Sequence, residues 1–124
     1  LMPDGGDFVV VIDDDGGIRE AVLRLLSAAG LEARAFPSAE AFLDSDLLDH
    51  TSVLLLDIQL PGLSGLALQQ RLRSRGCAPP AILITGQDLP RHRTAAGQLD
   101  SPCFATPFHG LELVDAVRSR MPAA

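Results

Sequence analysis

Phe8-Val9-Val10-Val11-Ile12-Asp13-Asp14-Asp15 and Val53-Leu54-Leu55-Leu56-Asp57 are built alike: an unbroken apolar run that stops at carboxylates. Ala81-Ile82-Leu83-Ile84-Thr85 repeats the pattern with a hydroxyl at its end. Short apolar runs rich in branched side chains, with no alternation of polar residues, predict strands buried on both faces. Such strands belong to a parallel sheet covered by helices on either side.

The segments around these runs support that reading. Ile18–Ala29 places Ile18, Ala21, Val22, Leu25 and Ala29 on one helical face, and Gly30 is set to stop it. Leu31–Phe36 alternates weakly and predicts a strand nearer an edge. Ser38 is an N-cap for a short helix reaching about Leu48. Pro61, Gly62 and Gly65 make a turn before a helix over Leu66–Arg75, which Gly76 ends. A short fifth strand is expected at Pro102–Ala105 and a closing amphipathic helix at Leu111–Met121. Segment 87–101 should hold a helix between the last two strands, but it offers few apolar residues to a core, so that helix should be short or mobile. The predicted fold is α/β: a flavodoxin-like (βα)5 three-layer sandwich with parallel sheet order 2-1-3-4-5, the order taken from the class rule. One domain over residues 8–121 is expected, with residues 1–7 as a loose leader and 122–124 as a tail or linker start.

Composition narrows the function. The chain has 124 residues, 47% hydrophobic and 21% charged, with a formal net charge of −6. That is the balance of a globular domain, and its sign argues against direct binding of nucleic-acid phosphates. No apolar run is long enough to span a membrane and no signal peptide is visible, so the cytoplasm is the expected compartment. Cys77 and Cys103 suggest neither a metal site nor a disulfide framework, and His50, His92 and His109 are scattered without catalytic spacing. All ten basic residues are arginine; there is no lysine.

The polar residues that end the three apolar runs carry the chemistry. In an open parallel sheet the carboxyl ends of neighbouring strands face one crevice, where ligands bind. Taken singly, Asp13–Asp15 reads as an acidic helix N-terminus, Asp57 as a loop-start aspartate and Thr85 as a turn hydroxyl. Taken together they converge. Converging carboxylates repel, and a hard divalent cation such as Mg²⁺ relieves the repulsion. A carboxylate beside Mg²⁺ can attack a phosphoryl group and form an aspartyl phosphate, with Thr85 donating to a phosphoryl oxygen.

At this point the chain resembles the receiver domain of two-component response regulators. The resemblance rests on Asp13-Asp14 after the first strand, Asp57 after the third and Thr85-Gly86 after the fourth. Leu60-Pro61-Gly62-Leu63-Ser64-Gly65 behind Asp57 and Pro107-Phe108 after the fifth strand complete it, over roughly Phe8 to Met121. It implies that Asp57 receives a phosphoryl group from a sensor histidine kinase. It implies that Asp14 ligates Mg²⁺ directly, with Asp13, Asp57 and the backbone carbonyl of Gln59 completing the protein's share of the site. Thr85 would contact the phosphoryl group and move with the switch. The face formed by the fourth helix, fifth strand and fifth helix would pass the signal to an output domain or protein partner, and the final helices could support a homodimer. A cis peptide is expected at Thr106–Pro107. Such a domain is not an enzyme, beyond catalysing its own phosphorylation and dephosphorylation.

Two positions depart from the family pattern. Lysine is usual immediately before the proline that follows the fifth strand; Thr106 stands there, and no other lysine exists to replace it. An aromatic switch residue is usual three positions earlier; Cys103 stands there, and strand alternation turns the adjacent Phe104 to the other sheet face. The segment from Thr85 to Thr106 is also about one residue short of the family's usual length. Arg91 or Arg93 could supply the missing charge. Two alternatives accompany this reading: a degenerate receiver acting through phosphorylation-independent protein contacts, and a haloacid-dehalogenase-type phosphatase with Asp13 as nucleophile and Asp15 as general acid.

Overall fold

The computed structural model describes residues 8–76, 79–86, 94, 103–105 and 109–121. Five parallel strands form one sheet in the order β2-β1-β3-β4-β5. They are β1 (Phe8–Ile12), β2 (Ala33–Phe36), β3 (Thr51–Asp57), β4 (Ala81–Thr85) and β5 (Cys103–Ala105). The described α-helices are α1 (Gly16–Ala28), α2 (Ala39–Asp44), α3 (Gly65–Ser74) and α4 (Gly110–Arg120), with a 3₁₀ turn at Leu48–His50. This is the predicted flavodoxin-like layering. The helix expected within 87–101, the leader 1–7, the tail 122–124 and the Thr106–Pro107 peptide lie outside the described residues.

Side-chain alternation along the strands divides the core in two. Val10, Ile12, Leu54, Leu56 and Leu83 face Phe42 of α2 and Leu68 and Leu72 of α3. Val9, Val11, Val53, Leu55, Ile82 and Ile84 face Val22 and Leu26 of α1 and Leu113 and Val117 of α4. Buried on both faces, these runs need no polar side, which is why they read as continuous apolar stretches. A guanidinium hydrogen bond, Arg118 Nη2 to the Ala29 carbonyl at 2.6 Å, ties α4 to the end of α1. Among the described residues no helix is long and apolar enough to cross a membrane.

The element boundaries differ from expectation for local reasons. Helix α1 starts two positions before Ile18 because Asp15 caps it, its Oδ1 accepting from Gly17 N at 2.8 Å and Ile18 N at 3.2 Å. It ends in a Schellman turn: Gly30 takes φ +80°, and Gly30 N and Leu31 N donate to the Ser27 and Leu26 carbonyls. That turn holds Leu31 against the helix, so β2 begins only at Ala33. Helix α2 stops at Asp44, short of Leu48. The Ser45 hydroxyl donates back to the Phe42 carbonyl at 2.6 Å, and Asp46 takes φ +60°. Strand β3 starts two residues before Val53, at buried Thr51 and Ser52. Their hydroxyls donate to the Leu47 and Phe8 carbonyls at 2.8 and 2.9 Å, so neither is an unsatisfied polar group.

Candidate functional site

Asp13, Asp14 and Asp57 meet at the carboxyl ends of β1 and β3. One carboxylate oxygen from each lies within 4.8 Å of the others. Asp13 is held by its backbone, Asp13 N donating to the Phe36 carbonyl at 3.2 Å. Its Oδ1 accepts from Asp15 N at 2.9 Å, while its Oδ2 is buried and has no hydrogen-bond partner among the described residues. Asp14 is exposed and Asp57 half-buried. Asp57 Oδ1 accepts from Gln59 N at 3.0 Å, which fixes the first turn of the β3–α3 loop. One turn further, Gly65 packs so close that a Cβ there would overlap the Asp57 carbonyl oxygen.

Electrostatics follow from this crowding. Burial first, then the charges of Asp57 and Asp14, raise the Asp13 carboxyl from 3.8 to about 6, against the opposing pull of the Asp15 N–H. Asp57 is raised too, again mainly by burial, with the Gln59 N–H opposing and Asp14 adding repulsion. Three oxygen donors, one of them a buried unpartnered carboxylate oxygen, form a donor set suited to a hard divalent cation.

Thr85 ends β4 and is fully buried, next to Ile84, which pairs with Asp57 across the sheet. Ile58 N donates to the Ile84 carbonyl at 2.9 Å, stitching the start of the β3–α3 loop to β4. Gln59 is exposed beside Asp57. On β5, half-buried Cys103 packs on the α2/α3 side and Phe104 on the α1/α4 side, as strand alternation requires. Thr106, Pro107, Arg91 and Arg93 lie outside the described residues.

One residue at this site had not been singled out from the sequence. Arg19 sits in the first turn of α1, where the helix dipole disfavours a cation. Its Nη1 donates to the Asp13 carbonyl at 2.8 Å, bracing the turn that presents the acidic pair. A cation placed against the dipole was the signal available.

A family model for the response regulator receiver domain matches residues 9–119. Nodulation protein W of Bradyrhizobium diazoefficiens is 42% identical over 112 residues, covering 88% of this chain and 48% of that protein. Response regulator protein TodT of Pseudomonas putida is 34% identical over 126 residues, covering 99% of this chain and 55% of that protein. Among solved structures, response regulator StyR superimposes with a TM-score of 0.83 at 32% identity, covering 94% of this chain and 59% of that one. The chain belongs to the response-regulator receiver domain family, the receiver domain of two-component response regulators. It spans about half the length of the curated relatives it matches.

Proposed function

We propose that this domain accepts a phosphoryl group on Asp57 from a sensor histidine kinase, in a reaction that requires Mg²⁺. The observation that carries the reading is the meeting of Asp13, Asp14 and Asp57 around the unpartnered Asp13 Oδ2. Asp14, Asp57 and the Gln59 carbonyl would hold the ion, with Asp13 assisting directly or through water. Bound there, Mg²⁺ would offset the carboxylate repulsion and neutralise charge on the phosphoryl oxygens. An Asp57 carboxylate oxygen attacks phosphorus. The P–N bond of the donor phosphohistidine breaks, and its electron pair stays on the imidazole nitrogen, which takes up a proton. Thr85 donates its hydroxyl hydrogen to a phosphoryl oxygen. The kinase and an output domain or protein are the partners, and the cytoplasm is the setting.

Thr106 makes the domain atypical. A hydroxyl in place of the usual lysine forgoes a charge-assisted hydrogen bond, worth on the order of 1.5–3 kcal/mol. Cys103 in place of the aromatic removes the side chain whose reorientation would report phosphorylation. Together they support a pocket that still accepts phosphate while its coupling to the β5 and α4 face is weakened or rerouted. The same two residues favour the second reading, a receiver that works by constitutive contacts. The phosphatase alternative loses ground, because Asp13 is buried and its Oδ1 is engaged by Asp15 N.

Intact mass after incubation with Mg²⁺ and acetyl phosphate separates the two receiver readings. The proposal expects one added phosphoryl group in the parent and none in Asp57→Asn. No gain in a folded protein that binds Mg²⁺ favours constitutive contacts.

A further inference from the structure

The β3–α3 loop is tied down at both ends, and the outer tie comes from helix α2. The inner ties run to the sheet and within the loop: Ile58 N to the Ile84 carbonyl of β4 at 2.9 Å, Gln59 N to Asp57 Oδ1 at 3.0 Å, and Gly65 N to the Ile58 carbonyl at 3.3 Å. The outer part, Pro61-Gly62-Leu63, is caught by Glu40 in the first turn of α2. Glu40 Oε2 accepts from Leu63 N at 3.0 Å. Gly62 adopts φ +73°, and a Cβ there would come within 2.6 Å of the same Oε2. The left-handed backbone at this position favours glycine, and a side chain there would push the Glu40 carboxylate from its seat. The bond to Leu63 N, the Glu40 backbone N–H and the positive charge of Arg71 on α3 hold this carboxyl below its ordinary range, so it is ionised at neutral pH.

We propose that Glu40 is a positioning residue for the metal site: from α2 it latches the loop that presents the Gln59 carbonyl. The inference rests on the receiver reading, in which that carbonyl is a ligand. Metal binding needs Gln59 ordered. A loop already fixed at Leu63 has given up that freedom in advance, whereas an unlatched loop must give it up on binding, and affinity falls. The carboxylate itself is solvent-exposed, and an exposed contact of this kind adds little to global stability. Its effect therefore belongs in loop order and metal affinity.

Calorimetric titration of the full chain with MgCl₂, together with amide exchange of the metal-free protein by NMR, tests this. Glu40→Ala is expected to weaken Mg²⁺ binding about tenfold, the low end for residues that act on a metal site from behind its ligands. Amide exchange at Leu63 and Gln59 rises with it. Glu40→Gln keeps an oxygen that accepts from Leu63 N and restores most of the affinity. Glu40→Asp keeps the negative charge in the first turn of α2 but withdraws the oxygen, so it behaves like the alanine variant. Affinity unchanged within about twofold in Glu40→Ala overturns the latch and leaves the receiver reading intact. Wild-type affinity in Glu40→Asp overturns it as well, because the helix charge alone then accounts for the effect. A parent protein that binds no Mg²⁺ removes both the proposed Mg²⁺-dependent phosphoacceptor function and the latch.

Discussion

The carboxyl ends of β1 and β3 and the carboxyl end of β5 lie on the same rim of one sheet, yet they have been treated differently. At β1 and β3 the carboxylates, the loop glycine and the backbone ties all converge on Asp57. At β5, Cys103 and Thr106 stand where an aromatic and a lysine are usual for the family. The contrast teaches that accepting a phosphoryl group and reporting it place separate demands on a sequence. The first needs charge held against its own repulsion within a few ångströms. The second needs side chains on and just after the fifth strand that respond to the phosphoryl group, and Cys103 and Thr106 replace the residues usual there.

The sharpest way to break this contrast is to disturb the acceptor half. Gly65→Ala forces a methyl group into the Asp57 carbonyl and should cost about 3 kcal/mol in urea unfolding, with Mg²⁺ binding lost. A loss under about 0.5 kcal/mol would show that the acceptor half is no more tightly built than the other. Thr106→Lys restores the absent cation. It should raise the rate of phosphoryl gain from acetyl phosphate by on the order of tenfold, the kinetic equivalent of one charge-assisted hydrogen bond. An unchanged rate would mean that another group, Arg91 or Arg93, already supplies that charge.

The strain within the acceptor half has a pH signature. Folding raises Asp13 from 3.8 to about 6, so the folded protein binds this proton more tightly than the unfolded chain. The cost is fully present above the folded value and shrinks as pH falls through about 6 toward the unfolded value. In EDTA, the melting temperature should therefore rise as the protein is acidified from about pH 7.5 to about pH 5. Asp13→Asn should flatten that trend and stabilise the metal-free protein at neutral pH by about 1–2 kcal/mol, while weakening Mg²⁺ binding. A melting temperature that falls over the same range in the parent would contradict the account. The smallest effect is expected on the other side: Cys103→Ala, at a half-buried position, should cost about 1 kcal/mol or less and leave Mg²⁺ affinity as it was.

Much of this was legible in the sequence because burial on both faces leaves an unmistakable trace. Val9–Ile12, Val53–Leu56 and Ala81–Ile84 have no polar side, and their polar terminators necessarily share one rim. The sequence alone therefore brings Asp13, Asp14 and Asp57 together. What was missed is polar and local. Thr51 and Ser52 fall outside the apolar run that marks the strand, because their hydroxyls find carbonyl partners only in the fold. The acidic run reads as a helix N-terminus, but only the fold shows that Asp15 is the residue that caps α1. Glu40 reads as one more acidic residue on a short helix; its partner, Leu63 N, lies 23 positions away and cannot be found from spacing. Hydrophobic patterns report an average environment, while a single hydrogen bond across elements leaves no periodic mark.

Amide NMR spectra in the presence of Mg²⁺, recorded before and after acetyl phosphate and with Asp57→Asn as control, test the contrast between the two halves in one experiment. The account predicts large shifts at Asp13–Asp15, Asp57–Gly65 and Thr85–Gly86, small ones across Cys103–Ala105 and α4, and none in the control. Large shifts spreading through β5 and α4, or no shift at Asp57–Gly65 in a protein that binds Mg²⁺, would contradict it.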